Sequence, residues 1–237
     1  MNIKYYIVIM MLLCGIGTAL ADNAADTPAS GSSAGFLASA KGSAARKTAA
    51  DYFVAAPARV FPTIDSITRL DMIDYFRAGS PKPSRNLMGG NVRILADTPD
   101  HLEFSTSLVS RYTIDLLPSS GRPGGVVLML TRTIQTPAED SSVTFYTTGW
   151  SEIKGMFTVP TLDEWMLPEA KKKHRKEVEN AVPFMLAKLE YAPDSQTMTF
   201  TNNLDKYIPE EDLGLANSSI TKSLSYKWNG KRFVKLK

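Results

Sequence analysis

The stretch Leu224-Ser225-Tyr226-Lys227-Trp228-Asn229-Gly230, near the end of the chain, decides the fold class. Its apolar residues alternate with polar ones and share one face with Ile220, as in a half-buried β-strand. Asn229-Gly230 is typical of a two-residue hairpin turn, after which Lys231 to Leu236 returns as the partner strand. The sequence therefore predicts an antiparallel hairpin at the end of the fold.

The same period of two recurs through the middle of the chain. Alternating apolar residues are Leu102 and Phe104, then Tyr112, Ile114 and Leu116, then Val143 and Phe145, then Leu189 and Tyr191, then Met198 and Phe200. Val126 to Ile134 is more uniformly apolar and indicates a central strand. Turns are predicted at Pro99-Asp100 and from Pro118 to Gly125. Together these patterns predict an antiparallel meander.

Short helical segments interrupt the strands. Thr68-Arg69-Leu70-Asp71 fits a capping box with Thr68 as the N-cap, in a helix that starts at Ser66 or Thr68 and ends near Gly79. Thr161-Leu162-Asp163-Glu164 fits a second capping box. Residues 169–180 are polar on every face, so a helix there would be solvent-exposed or marginally formed.

The predicted fold class is therefore α+β, mostly antiparallel sheet with short helices. Residues 51–160 and 161–237 form two predicted lobes, each a helix followed by a meander. Pro99-Asp100 and Pro193-Asp194 precede similar strands in the two lobes. Duplication of one unit and chance similarity between short amphipathic hairpins both explain this likeness.

The beginning of the chain predicts export. Lys4 is followed by the apolar run Ile7 to Leu13 and by Ala19-Leu20-Ala21, behind which a signal peptidase would cut. Residues 1–21 are thus a predicted signal peptide, and the mature protein is periplasmic or secreted, with no transmembrane segment. A lipid anchor at Cys14 is not expected, because Leu13 stands where lipid attachment needs a small residue.

Residues 22–50 predict a disordered linker. Of these 29 residues, 18 are Ala, Ser or Gly, which bury too little apolar surface to offset the entropy of ordering them. The whole chain carries a net charge of +3, a balance that favours neither nucleic acid nor a strongly acidic partner. No disulfide is expected in the mature chain, since Cys14 is the only cysteine.

A set of short motifs resembles a known family when taken in order. The motifs are Phe61-Pro62, Arg69-Leu70-Asp71-Met72-Ile73-Asp74-Tyr75-Phe76, Asn86-Leu87-x-Gly89-Gly90, Leu116-Leu117-Pro118, Asp140-Ser141-Ser142-Val143 and Trp150. In this order they resemble the exported Gram-negative proteins of the domain of unknown function 3256 family, over residues 52 to 237. The resemblance implies an envelope or secreted location and brings no activity, cofactor or catalytic residue.

Few residues suggest catalysis or metal binding. His101 and His174 are the only histidines, they lack the spacing of a zinc site, and both are interpreted as surface residues. No G-x-S-x-G motif is present, and no cofactor or metal site is predicted. Asp71 and Asp74 lie at i and i+3 on one helix face, where close carboxylates could act as acid and base. Capping by Asp71 and an ion pair of Asp74 with Arg77 or Arg69 explain them without catalysis and are the simpler interpretation.

The densest cluster of positive charge is Lys171, Lys172, Lys173, Arg175 and Lys176. It could bind phosphates on an anionic surface, although neighbouring glutamates make a solvated segment the simpler interpretation. The leading hypothesis is an exported, envelope-located, non-catalytic binding or structural module of unknown ligand, with an envelope protein or a polysaccharide as the candidate partner. The alternatives are a carboxylate-dependent hydrolase using Asp71 and Asp74, and an anionic-surface binder using the 171–176 basic run.

Overall fold

The computed structural model describes residues 46–80, 82–122 and 125–236. The predicted signal peptide, Cys14 and most of the predicted linker lie outside these residues. The helices are α1 (Ala49–Val54), α2 (Ser66–Arg77), α3 (Leu162–Trp165), α4 (Pro168–Lys173), α5 (Arg175–Ala181) and α6 (Glu210–Ser219). None of the helices in these ranges is long and apolar enough to cross a membrane.

Eleven strands in the described ranges form two antiparallel sheets, which confirms the predicted α+β class. The first sheet has the order β1-β2-β3-β4-β5-β6-β7, and the second has the order β11-β10-β9-β8. The strands are β1 (Ser84–Arg85), β2 (Asn91–Asp97), β3 (His101–Ser105), β4 (Ser110–Pro118), β5 (Val126–Ile134), β6 (Asp140–Tyr146), β7 (Glu152–Ile153), β8 (Ala187–Ala192), β9 (Thr197–Asn202), β10 (Ser223–Trp228) and β11 (Phe233–Lys235). Leu204–Lys206 forms a single 3₁₀ turn.

The central position of β5 explains why its residues Val126 to Leu130 are apolar at every position. Leu128 belongs to the core on one face of the first sheet, and Met129 belongs to the core on the other face. Because successive residues of a strand point to opposite faces, a strand covered on both sides needs apolar residues at every position. The prediction of a central strand over Val126 to Ile134 is confirmed.

One face of the first sheet packs against α1 and α2. Phe53 of α1 and Phe104 of β3 have ring centroids 4.4 Å apart, and Phe61 lies edge-on to both rings. Ile73 of α2 completes this layer. Burial of each such side chain contributes about 1.5–3 kcal/mol to folding, so this layer fixes both helices on the sheet.

The other face of the first sheet shares a core with the second sheet. Leu117 and Met129 from the first sheet contact the same buried cluster as Trp165 of α3, Met198 and Phe200. The predicted boundary between residues 160 and 161 therefore separates the sheets in sequence, whereas a single core joins them in space. The layers are α1 and α2, then the first sheet, then the second sheet with its own helices.

The start of α2 differs from the predicted capping box. The N-cap is Asp65, whose Oδ1 accepts a hydrogen bond from the Thr68 N–H at 2.7 Å. The helix therefore begins at Ser66, one of the two predicted starts, and the capping role given to Thr68 and Asp71 is wrong. Asp65 satisfies an orphan N–H group of the first turn, and the Asp71 carboxylate is exposed inside the helix.

Two further expectations are corrected in the second half. Asn229 N–H donates to the Arg232 carbonyl at 3.2 Å, so the tip of the last hairpin is Gly230-Lys231, one residue later than predicted. The segment 169–180 is not polar on every face, because α4 and α5 bury Ala170 and Val178 in the core shared by the two sheets. Only a few residues of α4 and α5 are buried, but they all face the shared core.

The predicted end of the linker at residue 50 lies inside helix α1 of the folded domain. Thr48 caps α1 through a capping box with Asp51, and Ala49 and Ala50 are buried. The sequence analysis treated these alanines as linker composition, yet a methyl group in a tight contact can be part of a core. The folded domain therefore includes residue 48 and the residues that follow it.

This cap can be tested by mutation. Thr48→Ala is expected to lower the free energy of unfolding by about 0.5–2 kcal/mol, since it removes the side-chain acceptor for the Asp51 N–H. Thr161→Ala is the matched control, because Thr161 is the N-cap of α3 and makes no side-chain cap hydrogen bond. Urea unfolding of the two variants should separate them, and equal losses would contradict a capping role for Thr48.

Candidate functional site

Side-chain to main-chain hydrogen bonds hold the first part of β8 against the beginning of β6. The Leu189 N–H donates to Ser141 Oγ at 2.9 Å, and the Ala187 N–H donates to Asp140 Oδ1 at 3.2 Å. Ser141 Oγ also lies 2.8 Å from Thr133 Oγ1, which ties β5 into the same network. These bonds fix where the second sheet stands on the first.

The hairpin loop at the end of the second sheet makes a second attachment. Trp228 Nε1 donates to the Pro118 carbonyl at 2.7 Å, and Ser119 Oγ donates to the Gly230 carbonyl at 3.1 Å. The second sheet thus covers the apolar part of this face of the first sheet. The part that carries polar residues of β3, β4 and β5 stays uncovered.

A cleft of about 720 Å³ opens over this polar part. One wall is formed by the first sheet with His101, Glu103, Arg111, Thr113, Asp115, Thr131 and Thr133. The other wall is formed by the second sheet with Lys188, Glu190, Thr197 and Thr199, and β8 lies where the walls meet. A cleft of this volume is in the range of ligand-binding sites, and its lining of hydroxyls and charges suits a polar ligand.

The most deeply buried charged group of the cleft is Asp115, which is 1% exposed. Its Oδ1 lies 2.7 Å from Nδ1 of His101, its partner across the β3–β4 ladder, and its Oδ2 accepts a hydrogen bond from Thr113 Oγ1 at 3.2 Å. The hydrogen bond from the ring to this carboxylate raises the pKa of His101 above its ordinary value. The pair holds the imidazole in one orientation at the wall of the cleft.

The remaining charges of the cleft form ion pairs, one across β3 and β4 and the others around Lys188 of β8. Arg111 Nη1 lies 3.0 Å from Glu103 Oε1, and Lys188 Nζ lies 2.9 Å from Glu190 Oε1 and 3.7 Å from Glu139 Oε2. These groups are partly exposed, so they can exchange a partner for a ligand at small cost. The cleft therefore carries positive and negative side chains next to each other, and neither sign of charge dominates its walls.

Two hydroxyl groups differ from the others of the cleft. Thr131 is buried and lines the cleft, and its Oγ1 makes no hydrogen bond to any described residue. Tyr191 is half-buried, and burial raises the pKa of its phenol to about 12. The Tyr191 phenol therefore stays protonated at neutral pH and can donate to a ligand. Within the described ranges, no group of three or more His, Cys, Asp or Glu residues could hold a metal ion.

The structure separates the predicted carboxylate pair from this cleft. Asp71 and Asp74 are exposed on α2, and neither lines a described cavity. Arg77 pairs with Asp97 at 2.9 Å instead of with Asp74, and Arg69 turns into the core. A hydrolase that uses the two carboxylates needs both in one cleft, and their position on α2 does not provide it.

Acidic neighbours accompany most of the predicted basic run. The pairs are Lys171 with Asp163 at 3.0 Å, Lys172 with Glu169 at 4.0 Å, Lys173 with Glu169 at 3.4 Å, and Arg175 with Asp163 at 3.0 Å and with Glu179 at 2.9 Å. Lys176 is exposed on α5. Since the carboxylates interleave with the cations, this part of the surface is not uniformly basic.

The sequence analysis missed the residues of the cleft. His101 is not freely exposed, since its side chain is 27% exposed and its ring is hydrogen-bonded to the buried carboxylate of Asp115. His174 is exposed, as expected. The available signal was the polar half of the alternation in β3 and β4, which the pattern assigned to a solvent face. That half carries His101 and Glu103 opposite Asp115 and Thr113.

The His101–Asp115 pair predicts a pH dependence of stability. Because the pKa of His101 is raised in the folded state, its contribution is fully present below about pH 6.5, the ordinary value, and is lost as the pH rises through the folded-state pKa. Urea unfolding at a series of pH values should show this decline in the wild type and a flatter profile in His101→Gln. An NMR titration giving His101 an ordinary or lowered pKa would contradict the assignment.

Comparisons with known proteins agree with the fold. A domain of an uncharacterized protein from Porphyromonas gingivalis W83 has a similar structure, with a TM-score of 0.64 and 21% identity over 80% of this chain and 98% of that chain. No curated protein matches the chain. The family model described as "Protein of unknown function (DUF3256)" matches residues 42–233, which confirms the family predicted from the motifs. The chain therefore belongs to the DUF3256 family of proteins of unknown function.

Proposed function

We propose that this protein is an exported, envelope-located binding module without catalysis, and that the cleft between its two sheets holds the ligand. The observation that carries the proposal is the cleft itself, about 720 Å³ in volume and lined by hydroxyl and charged side chains from both sheets. If this polar part of the first sheet served only to stabilise the fold, the second sheet would be expected to cover it, as it covers the apolar part beside it. Instead, partly exposed polar groups converge there from distant parts of the chain.

Export is supported by the first residues of the chain. Lys4, the apolar run Ile7 to Leu13 and Ala19-Leu20-Ala21 have the order of charge, apolar segment and cleavage site that secretion needs. On this proposal the mature protein begins at Asp22 and works in the periplasm or outside the cell. An envelope protein or polysaccharide is the partner class that such a location offers.

A binding function suits the cleft better than hydrolysis. The His101–Asp115 pair resembles the base and orienting group of a hydrolase, but none of the described serine or threonine hydroxyls is hydrogen-bonded to His101. Nucleophilic catalysis needs that contact. Moreover, because Asp115 raises the pKa of His101, a larger fraction of this imidazole carries the proton that it can donate to a ligand, and the protonated form cannot accept a proton as a general base.

Complementation of a deletion strain distinguishes the three candidate sites. Glu103→Ala/Arg111→Ala alters the cleft, Asp71→Asn/Asp74→Asn alters the carboxylate pair, and Lys172→Ala/Lys173→Ala alters the basic run. All three pairs are at least partly exposed, so each double variant should fold. We expect only the cleft variant to fail. Failure of either of the other two with full rescue by the cleft variant would overturn the proposal.

Location is tested separately by fractionation. The mature protein, identified by mass spectrometry, should begin at Asp22, carry no lipid and be found in the periplasmic or secreted fraction. Recovery of an uncleaved chain in the cytoplasm would overturn the export part of the proposal and leave the cleft assignment standing.

A further inference from the structure

The edge of β8 is the longest sheet edge in the described ranges. The first sheet ends in β1 and β7, each of two residues, and the second sheet ends in β11, of three residues. β8 has six residues and pairs with β9 on one side only. An edge strand presents a row of main-chain N–H and C=O groups that another strand can pair with, so β8 is where a chain could be added.

The direction of these groups follows from the hydrogen bonds. The N–H groups of Ala187 and Leu189 donate to Asp140 and Ser141 of β6, so they point away from β9. Neighbouring residues of an antiparallel ladder point alternately to either side, and Tyr191 therefore directs its N–H and C=O to the same free edge. No described residue is hydrogen-bonded to either of these main-chain groups of Tyr191.

The free part of this edge opens into the cleft. Residues 188–192 line it, while Asp140 and Ser141 close the edge beside residues 187 and 189. Thr131 lies on the opposite wall with a buried hydroxyl that has no partner among the described residues. The unpaired groups of the main chain and of this side chain thus line one space.

We propose that the cleft binds an extended peptide segment of a partner protein, which pairs with the free edge of β8 at Tyr191. This inference rests on the proposed binding function and names its ligand class. The peptide would accept from the Tyr191 N–H and donate to its C=O, as in strand addition to a sheet edge. Its side chains would be polar and of both charges, because the wall offers Glu103, Arg111 and Thr131.

An oligosaccharide is the competing ligand class, and the main chain distinguishes the two. A sugar would be bound by side chains of the walls, whereas an added strand depends on the N–H of Tyr191 itself. Tyr191→Pro removes that N–H at an outward-facing edge position, where proline is tolerated. Tyr191→Ala removes the same side chain and keeps the N–H, so it is the matched control.

The test starts from two probes, a phage-displayed library of random linear peptides and an array of bacterial oligosaccharides. We expect peptides to be selected, and the Tyr191 amide to gain protection from hydrogen exchange when they bind to the wild type. Loss of one main-chain hydrogen bond should make Tyr191→Pro bind about tenfold more weakly than Tyr191→Ala. The hydrogen-exchange measurement on the wild type does not depend on how the proline variant folds.

Each other outcome has a distinct meaning. Ligands that respond to Glu103→Ala/Arg111→Ala but leave the Tyr191 amide unprotected, sugars included, would overturn strand addition and keep the cleft as the binding site. Ligands whose affinity is unchanged by every substitution in the cleft would overturn both proposals. Binding of neither peptides nor oligosaccharides would also overturn both.

Discussion

Arg69→Met is expected to lower the free energy of unfolding by about 3 kcal/mol, a large change for one substitution on a helix. Arg69 is 3% exposed, and its guanidinium donates to the carbonyls of Phe53 at 3.0 Å and Ala56 at 2.7 Å. The Phe53 carbonyl also accepts from the Ala56 N–H at 3.2 Å, whereas the Ala56 carbonyl follows the end of α1, where no further turn of helix can satisfy it. Methionine keeps the apolar stem beside Phe61 but leaves the Ala56 carbonyl without a donor among the described residues.

Arg85→Met is the matched control for this prediction. Arg85 also donates to a main-chain carbonyl, that of Gly89 at 2.7 Å, but it is exposed. Water can replace that donor, so we expect a change within about 0.5 kcal/mol. Urea unfolding monitored by tryptophan fluorescence measures both variants. Similar losses for the two would show that Arg69 is not the group that joins α1 to α2.

Asp115→Ala is expected to lower the free energy of unfolding by a similar amount, about 3 kcal/mol, at pH values below the pKa of His101. The substitution leaves the ring of His101 and the hydroxyl of Thr113 without their acceptor inside a strand pair. Since Asp115 raises the pKa of His101, the same variant should return that pKa toward its ordinary value. Unfolding measurements and an NMR titration of the histidine therefore report on one interaction in two ways.

Glu103→Ala serves as the control on the neighbouring strand position. Its carboxylate also faces the cleft, but it is partly exposed and its partner Arg111 remains in contact with water. Exposed pairs contribute about 0–1 kcal/mol, so this change should be small. Were Asp115→Ala to be as mild as Glu103→Ala, with the His101 pKa unchanged, the pair would not be the interaction that orders this wall.

The strands could be predicted from the sequence because burial on one face of a strand produces an alternation of apolar and polar residues. Phe104 and Ile114 alternate with polar residues, and the first half of β5, Val126 to Leu130, is apolar at every position because it is covered on both faces. The helical pattern of apolar residues is weaker in the short helices. α1 is short and begins with two alanines, while α6 contains Gly214 and Asn217 and buries little. Their formation depends on tertiary contacts more than on local propensity.

The cleft could not be derived from the same pattern. Alternation assigns Glu103, Thr113 and Asp115 to a polar face, and it does not say whether a second sheet stands beside that face. The placement of that sheet depends on Ser141 and Asp140, whose side chains bond the main chain of β8 about 47 residues later. Such contacts are tertiary, and a single sequence holds no periodic signal for them.

The shortness of the outer strands has a consequence for aggregation. β1 and β7 expose only two residues each, and β11 exposes three, so fibrils could not easily grow by stacking chains at these edges. At β8, the side chains of Asp140 and Ser141 already fill part of the edge. In the described part of the chain, edge-to-edge pairing between native molecules is therefore confined to the open part of β8 at Tyr191.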